Sequence, residues 1–115
     1  MSESPLVMVL SAPQKGAWAE AFALHYMLQR GWWVAYNFSA NGPFDLVAVN
    51  RDGKVLLLDV KFSSYKGASK KRRSLRSYRV RTALQKSLGV HLFFIDEDLN
   101  VVFEPVLPVP RDARG

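Results

Sequence analysis

Cysteine is absent from the 115 residues, which excludes a disulfide framework, a thiolate zinc site and a thiol nucleophile and leaves a cytosolic-type compartment open. Histidine occurs only twice, at His25 and His91, too few for a usual zinc site. Both read as packing residues. Long hydrophobic runs are also missing: nothing approaches the roughly 18 apolar residues that suggest a membrane span, so the chain reads as soluble, with no membrane partner. The apolar run at residues 6–10 follows Glu3 rather than a basic stretch and is shorter than the ~7–15 residues of a signal-peptide core, which argues against a secretory leader. Gly53-Lys54 lacks the spaced glycine and the following Ser or Thr of a phosphate-binding loop, so no nucleotide cofactor is expected. No Ser-His-Asp set and no internal repeat can be assembled.

What is present is ordinary globular chemistry, 49% hydrophobic, 23% charged and 12% aromatic, in a length that suits one domain. The formal charge of +6 points to an anionic partner such as nucleic acid. The charge is unevenly placed. Ten of the sixteen Lys and Arg fall between Lys61 and Lys86 with no acidic residue among them, while the remaining six face all ten Asp and Glu. The simplest reading of such a run is a solvated loop; its position directly after the strand discussed below favours a grip on phosphates.

Residues 1–13 read as a tail or edge strand ending at Pro13, which can open a helix. A helix is expected over 14–30, with Ala17, Ala21, Leu24 and Leu28 on its apolar stripe, Trp18 and Met27 flanking it, and Gly31 as the stop. Residues 32–38 suit a strand, in which Trp32, Trp33, Tyr36 and Phe38 read as core or dimer contacts before base-stacking groups. After the turn residues 39–43 come two apolar strands, 44–49 and 54–62, around Asn50-Arg51-Asp52-Gly53. Residues 63–78 read as a basic loop, 79–88 as a second helix stopped by Gly89, 90–95 and 100–103 as strands, and 105–115 as a polar tail. The order α-β-β-β-α-β-β implies an α/β domain with a mixed sheet of about five strands flanked by helices.

The informative residues are charges where the pattern wants apolar side chains. Asp59 and Lys61 interrupt Val55-Leu56-Leu57-Leu58-Asp59-Val60-Lys61-Phe62, which otherwise reads as a strand buried on both faces; two apart, they point to one side. Asp45 interrupts the neighbouring strand. If the hairpin loop is Arg51, Asp52 and Gly53, Asn50 pairs with Lys54 and Asp45 falls opposite Asp59, with Cβ atoms roughly 5 Å apart; a slip of one residue would send them to opposite faces. Two such carboxylates repel, so one binds a proton or both bind a cation. Oxygen ligands without Cys or convergent His favour Mg²⁺, with Mn²⁺ as substitute, over zinc. Glu20, at the border of the first helix's stripe, supplies a third oxygen. Lys61, beside metal and phosphate, would orient or deprotonate water or stabilise the pentavalent phosphate. The bland alternative makes Asp45 a turn residue, Asp59 a partner of Lys61 and Glu20 a solvated helix residue.

Pro43-Phe44-Asp45 followed by Asp59-Val60-Lys61 resembles the PD-(D/E)xK nuclease superfamily, in which a strand Asp and a following (Asp/Glu)-x-Lys hold Mg²⁺ beside the scissile phosphate. Within it the chain looks most like the archaeal-type and phage Holliday junction resolvases, small basic proteins with a Lys-Gly-x3-Glu helix, which Lys15-Gly16-Ala17-Trp18-Ala19-Glu20 fits. The resemblance spans residues 15–103. One extra residue separates Pro43 from Asp45, Ala21 replaces the arginine that usually follows the helical Glu, and Tyr36-Asn37 lacks a strand-end arginine.

The resemblance implies a restriction-endonuclease-like core and a Mg²⁺-dependent homodimer that nicks a four-way junction symmetrically and leaves 5′-phosphates. Glu20, Asp45, Asp59 and the Val60 carbonyl would bind the metal, Lys61 would activate water, and Ser39, in the loop before Asp45, would correspond to the family's functional serine. Branched double-stranded DNA would be held by Lys15, Arg30, Lys66, Lys70, Lys71, Arg72, Arg73, Arg76, Arg79 and Arg81, in a prokaryotic or phage-infected cytoplasm. The alternatives are a sequence-preferring nicking, homing or restriction-type endonuclease, and a non-catalytic DNA-binding module.

Overall fold

The first helix begins where a hydroxyl and a proline meet. Ser11 takes the N-cap: its hydroxyl accepts from the Gln14 N–H at 3.3 Å while Gln14 Oε1 accepts from the Ser11 N–H at 2.9 Å, and Pro13 sits in the first turn. The helix, α1 (Ala12–Gln29), ends before Gly31, whose φ of 89° is the left-handed conformation a helix stop demands. The computed structural model describes residues 9–39, 41–63 and 80–107. The expected tail over 1–13 and C-terminal tail over 105–115 therefore lie largely, and the basic loop over 63–78 almost wholly, outside the described residues.

Five strands form one mixed sheet in the order β1 (Trp33–Tyr36), β2 (Leu46–Val49), β3 (Val55–Phe62), β4 (Val90–Ile95) and β5 (Val101–Glu104). Only β3 and β4 run parallel, with the short helix α2 (Ala83–Leu88) in the chain between them. The expected element order and α/β class are observed. The second helix is shorter than the 79–88 span because Thr82 caps it, its hydroxyl accepting from the Gln85 N–H at 3.1 Å.

The core lies between α1 and one face of the sheet. Ala19, Ala23 and Met27 meet Leu46, Ala48, Leu56, Leu58, Val60, Phe93 and Ile95, all buried. This corrects the expected stripe: Ala17 and Ala21 are exposed and Leu28 is 48% exposed. The helix is rotated because the aromatic column Trp18, Phe22, Tyr26 takes one flank, where Tyr26 stands edge-on to Phe93 at 5.3 Å, while the small Ala19 and Ala23 let the backbone approach the sheet. Val90, Leu92 and Phe94 alternate to the other face, the side on which α2 sits.

Strand β3 is not buried on both faces. Leu56, Leu58 and Val60 are buried, whereas Val55 is exposed and Leu57, Asp59 and Lys61 are half-buried, so the second face is only partly covered. The aromatic segment meets expectation only in part, with Trp32 packed against the core. Trp33, Tyr36 and Phe38 are 59%, 55% and 94% exposed on the edge strand β1 and the turn after it, so they are not core. No described helix is long and apolar enough to cross a membrane.

Candidate active site

The site is built by one hairpin. Asn50 and Lys54 close it through an N–H to carbonyl bond of 3.0 Å; the Asn50 side chain accepts from the Asp52 and Lys54 N–H groups, and Gly53 turns with φ 86°. The resulting register pairs Leu46 with Leu58, and Asp45, one step beyond, donates its N–H to the Leu58 carbonyl at 2.7 Å. Asp45 and Asp59 are thus neighbours at the end of the β2–β3 ladder, as the three-residue loop required. Asp45 Oδ2 accepts from the Val60 N–H at 2.8 Å, so the side chain stands in for the backbone partner that β2 no longer supplies. Val60 turns its carbonyl to the same side as that N–H.

The pair is electrostatically strained. Asp45 is raised from the usual carboxylate value to about 6 by partial burial and by the charges of Glu20 and Asp59, against the lowering effect of the Val60 N–H. With a value of about 6 it is largely ionised at neutral pH, where a cation can bind with little proton to displace. Lys61 and Asp59 share a side as expected, with Lys61 Nζ 3.5 Å from Asp59 Oδ2.

Two residues that sequence reasoning passed over organise this centre. Gln85, 6% exposed, donates from Nε2 to Asp59 Oδ2 and to the Pro43 carbonyl, both at 2.8 Å, while its Oε1 accepts from the Thr82 N–H at 3.0 Å. Asn37 holds the loop that delivers Asp45: Nδ2 donates to the Phe44 carbonyl at 2.8 Å, Oδ1 accepts from the Ser39 N–H at 2.9 Å, and its own N–H donates to the Asp45 carbonyl at 2.8 Å. A Cβ at Gly42 would come within 2.7 Å of the Asn37 amide nitrogen, which explains the glycine. The only sequence signals were weak: a Gln at the third position of a capped helix, and an Asn at a strand end. Asp59, Lys61 and Gln85 open into a cleft of about 470 Å³ walled by Pro43, Val80 and Leu84.

Glu20, on α1, bonds Tyr36 and shares no hydrogen bond with Asp45, Asp59 or Lys61. Its Oε1 accepts from the Tyr36 hydroxyl at 3.1 Å, an interaction that raises the tyrosine's pKa, and its charge is felt by Asp45. Among the described residues no group of three or more His, Cys, Asp or Glu side chains is gathered tightly enough to hold a metal ion. Mg²⁺ does not need such a cage, since it keeps several waters and is commonly held by one or two carboxylates with substrate phosphate completing the shell. The Asp45–Asp59 pair, strained and oxygen-only, fits that requirement.

The remaining expected residues are distributed unevenly. Lys15 Nζ lies 5.7 Å from the Phe62 ring, at the site end of β3. Arg30 stacks on Tyr26 at 3.4 Å at the far end of α1, ten residues and ~15 Å of helix away from Glu20, and is not brought to the site. Arg81 donates to the Val90 carbonyl at 3.3 Å beside the cleft. Ser39 is exposed in the turn before Asp45 and shares no hydrogen bond with Asp45, Asp59 or Lys61. Lys66, Lys70, Lys71, Arg72, Arg73, Arg76 and Arg79 lie outside the described residues. His25 is exposed, and His91 Nδ1 is 2.8 Å from the Pro105 carbonyl. No family model, no curated protein and no solved structure matches this chain.

Proposed function

We propose that the protein is a Mg²⁺-dependent DNA endonuclease with a restriction-endonuclease-like core, acting on branched double-stranded DNA and most like a Holliday junction resolvase. The observation that supports it is that Asp59 and Lys61 line one cleft while Asp45 stands beside Asp59 at the end of the same hairpin. Asp45 and Asp59 would hold the ion, the Val60 carbonyl lies on the same side, and Glu20 would contribute from α1. A divalent ion there supplies Lewis-acid stabilisation of the scissile phosphate. The Lys61 ammonium, half-exposed and 3.5 Å from Asp59, is placed to donate to a phosphoryl oxygen or orient the attacking water. Asn37 and Gln85 hold the carboxylates still while charge builds on phosphate, and Lys15 with the basic stretch after β3 would carry the DNA backbone.

The test is cleavage of an end-labelled four-way junction beside a linear duplex of the same arm sequences, with Mg²⁺ and with EDTA. Paired nicks in the junction alone, lost in EDTA, are the expected result, and they imply two copies acting across the branch. Cutting of both substrates keeps the nuclease and removes branch selectivity; cutting that tracks sequence marks a nicking or restriction-type enzyme. Salt-sensitive binding with no cleavage in Mg²⁺ or Mn²⁺ would make the chain a binding module and overturn the proposal.

A further inference from the structure

Gln85 uses every hydrogen-bonding group of its side-chain amide. Oε1 takes the Thr82 N–H, and the two Nε2 hydrogens go to the Pro43 carbonyl and Asp59 Oδ2. Reversing the amide would set its oxygen against two acceptors and its nitrogen against a donor, so one orientation alone fits. The side chain is also buried, and losing either bond would strand a polar group. Pro43 lies two residues before Asp45 on the loop that Asn37 organises. One amide therefore ties the Asp45-bearing loop to the Asp59-bearing strand, with its own backbone anchored in a capped helix.

We infer that Gln85 is a positioning residue that fixes the spacing between the Asp45 and Asp59 carboxylates, and thereby makes the site select the small Mg²⁺ over the larger Ca²⁺. The inference rests on the metal reading of the pair. Mg²⁺ demands oxygens at roughly 2.0–2.1 Å in near-octahedral array, whereas Ca²⁺ accepts roughly 2.3–2.6 Å and irregular shells, so a strut that stops the two carboxylates from parting discriminates between them. Gln85 and Lys61 both engage Asp59 through Oδ2. Outer groups of this kind typically alter metal binding by ~10–100-fold.

Direct binding tests this without reference to cleavage. Mn²⁺ bound to the intact protein is followed by electron paramagnetic resonance and displaced with Mg²⁺ or Ca²⁺, giving the ratio of their affinities. Gln85→Met removes the donors. Gln85→Ala also removes them, favours the helix and adds no charge near the carboxylates, so it serves where the Met variant fails to fold. Both are expected to shift the ratio toward Ca²⁺ by about tenfold. Ser87→Gly, exposed on the same helix, weakens α2 without touching the amide and is expected to leave the ratio unchanged. An unchanged ratio in folded Gln85 variants, or an equal shift in Ser87→Gly, overturns the inference and leaves the metal reading intact. Failure of the wild type to bind Mn²⁺ at all overturns the metal reading and the inference with it.

Discussion

Asp59→Asn is expected to cut DNA at least ~10³-fold more slowly than the wild type, the scale of losing several kcal/mol of metal-borne charge stabilisation. Asparagine keeps the shape, and its oxygen still accepts from Gln85, so the fold is spared. What goes is one of the two charges that would hold the ion, together with the ion pair to Lys61. Asp45→Asn should match it in loss of cleavage, because an amide oxygen can take the Val60 N–H while the second charge disappears. DNA binding by both variants should stay level or tighten, since each removes a negative charge beside the proposed phosphate path. Single-turnover cleavage and a binding isotherm for each variant check this, and undiminished cutting by both would end the metal-site proposal.

Asp45→Asn carries a second signature in stability. Because the folded-state pKa of Asp45 is raised to about 6, the native state binds more protons than the unfolded one between the ordinary value of 3.8 and that point. The group's favourable contribution is therefore present below pH ~4 and is lost as pH rises through about 6. The asparagine variant has no such charge to bury, so it should melt above the wild type at neutral pH and converge on it in acid. The carboxylate is only about half buried, which keeps the gap modest.

Phe93→Ala is expected to cost ~3–5 kcal/mol, a large share of the ~5–15 kcal/mol that holds a domain of this size together. Phe93 is fully buried on the interior strand β4, edge-on to Tyr26 at 5.3 Å and to Phe103 at 5.2 Å, so its removal leaves a cavity where α1, β4 and β5 meet. Relaxation is limited because the ring stands between two other aromatics held on separate elements. Urea unfolding should show a fall in midpoint with little change in slope. A loss below ~1 kcal/mol would mean that the site collapses around the gap and that the aromatic column is not the keystone of the core.

The parts of this molecule legible in its sequence are those governed by local chemistry. Asn50 and Gly53 specify the hairpin turn, the turn specifies the register, and the register is what places Asp45 beside Asp59. The spacing of Asp59 and Lys61 likewise guaranteed a shared side. What escaped depends on the third dimension. The buried face of α1 could not be chosen between the Ala17–Leu28 and the Ala19–Met27 stripes without knowing that Trp18, Phe22 and Tyr26 stack toward Phe93 and Phe62. Gln85 reaches Pro43 across 42 positions of sequence and Asp59 across 26, and no local pattern announces such a contact. The exposure of Trp33 and Tyr36 follows from β1 being the sheet's edge, a property of strand order rather than of the aromatic run itself.

Cleavage of labelled four-way junction DNA by the wild-type protein, with Mg²⁺ or EDTA, followed from about pH 5 to about pH 8, decides whether the Asp45–Asp59 pair works as a metal-dependent nuclease site. Cutting is expected to need the metal and to rise through about pH 6 as Asp45 gives up its proton to make room for the cation. Cleavage that persists in EDTA, or no cleavage at any pH in Mg²⁺, would contradict that role.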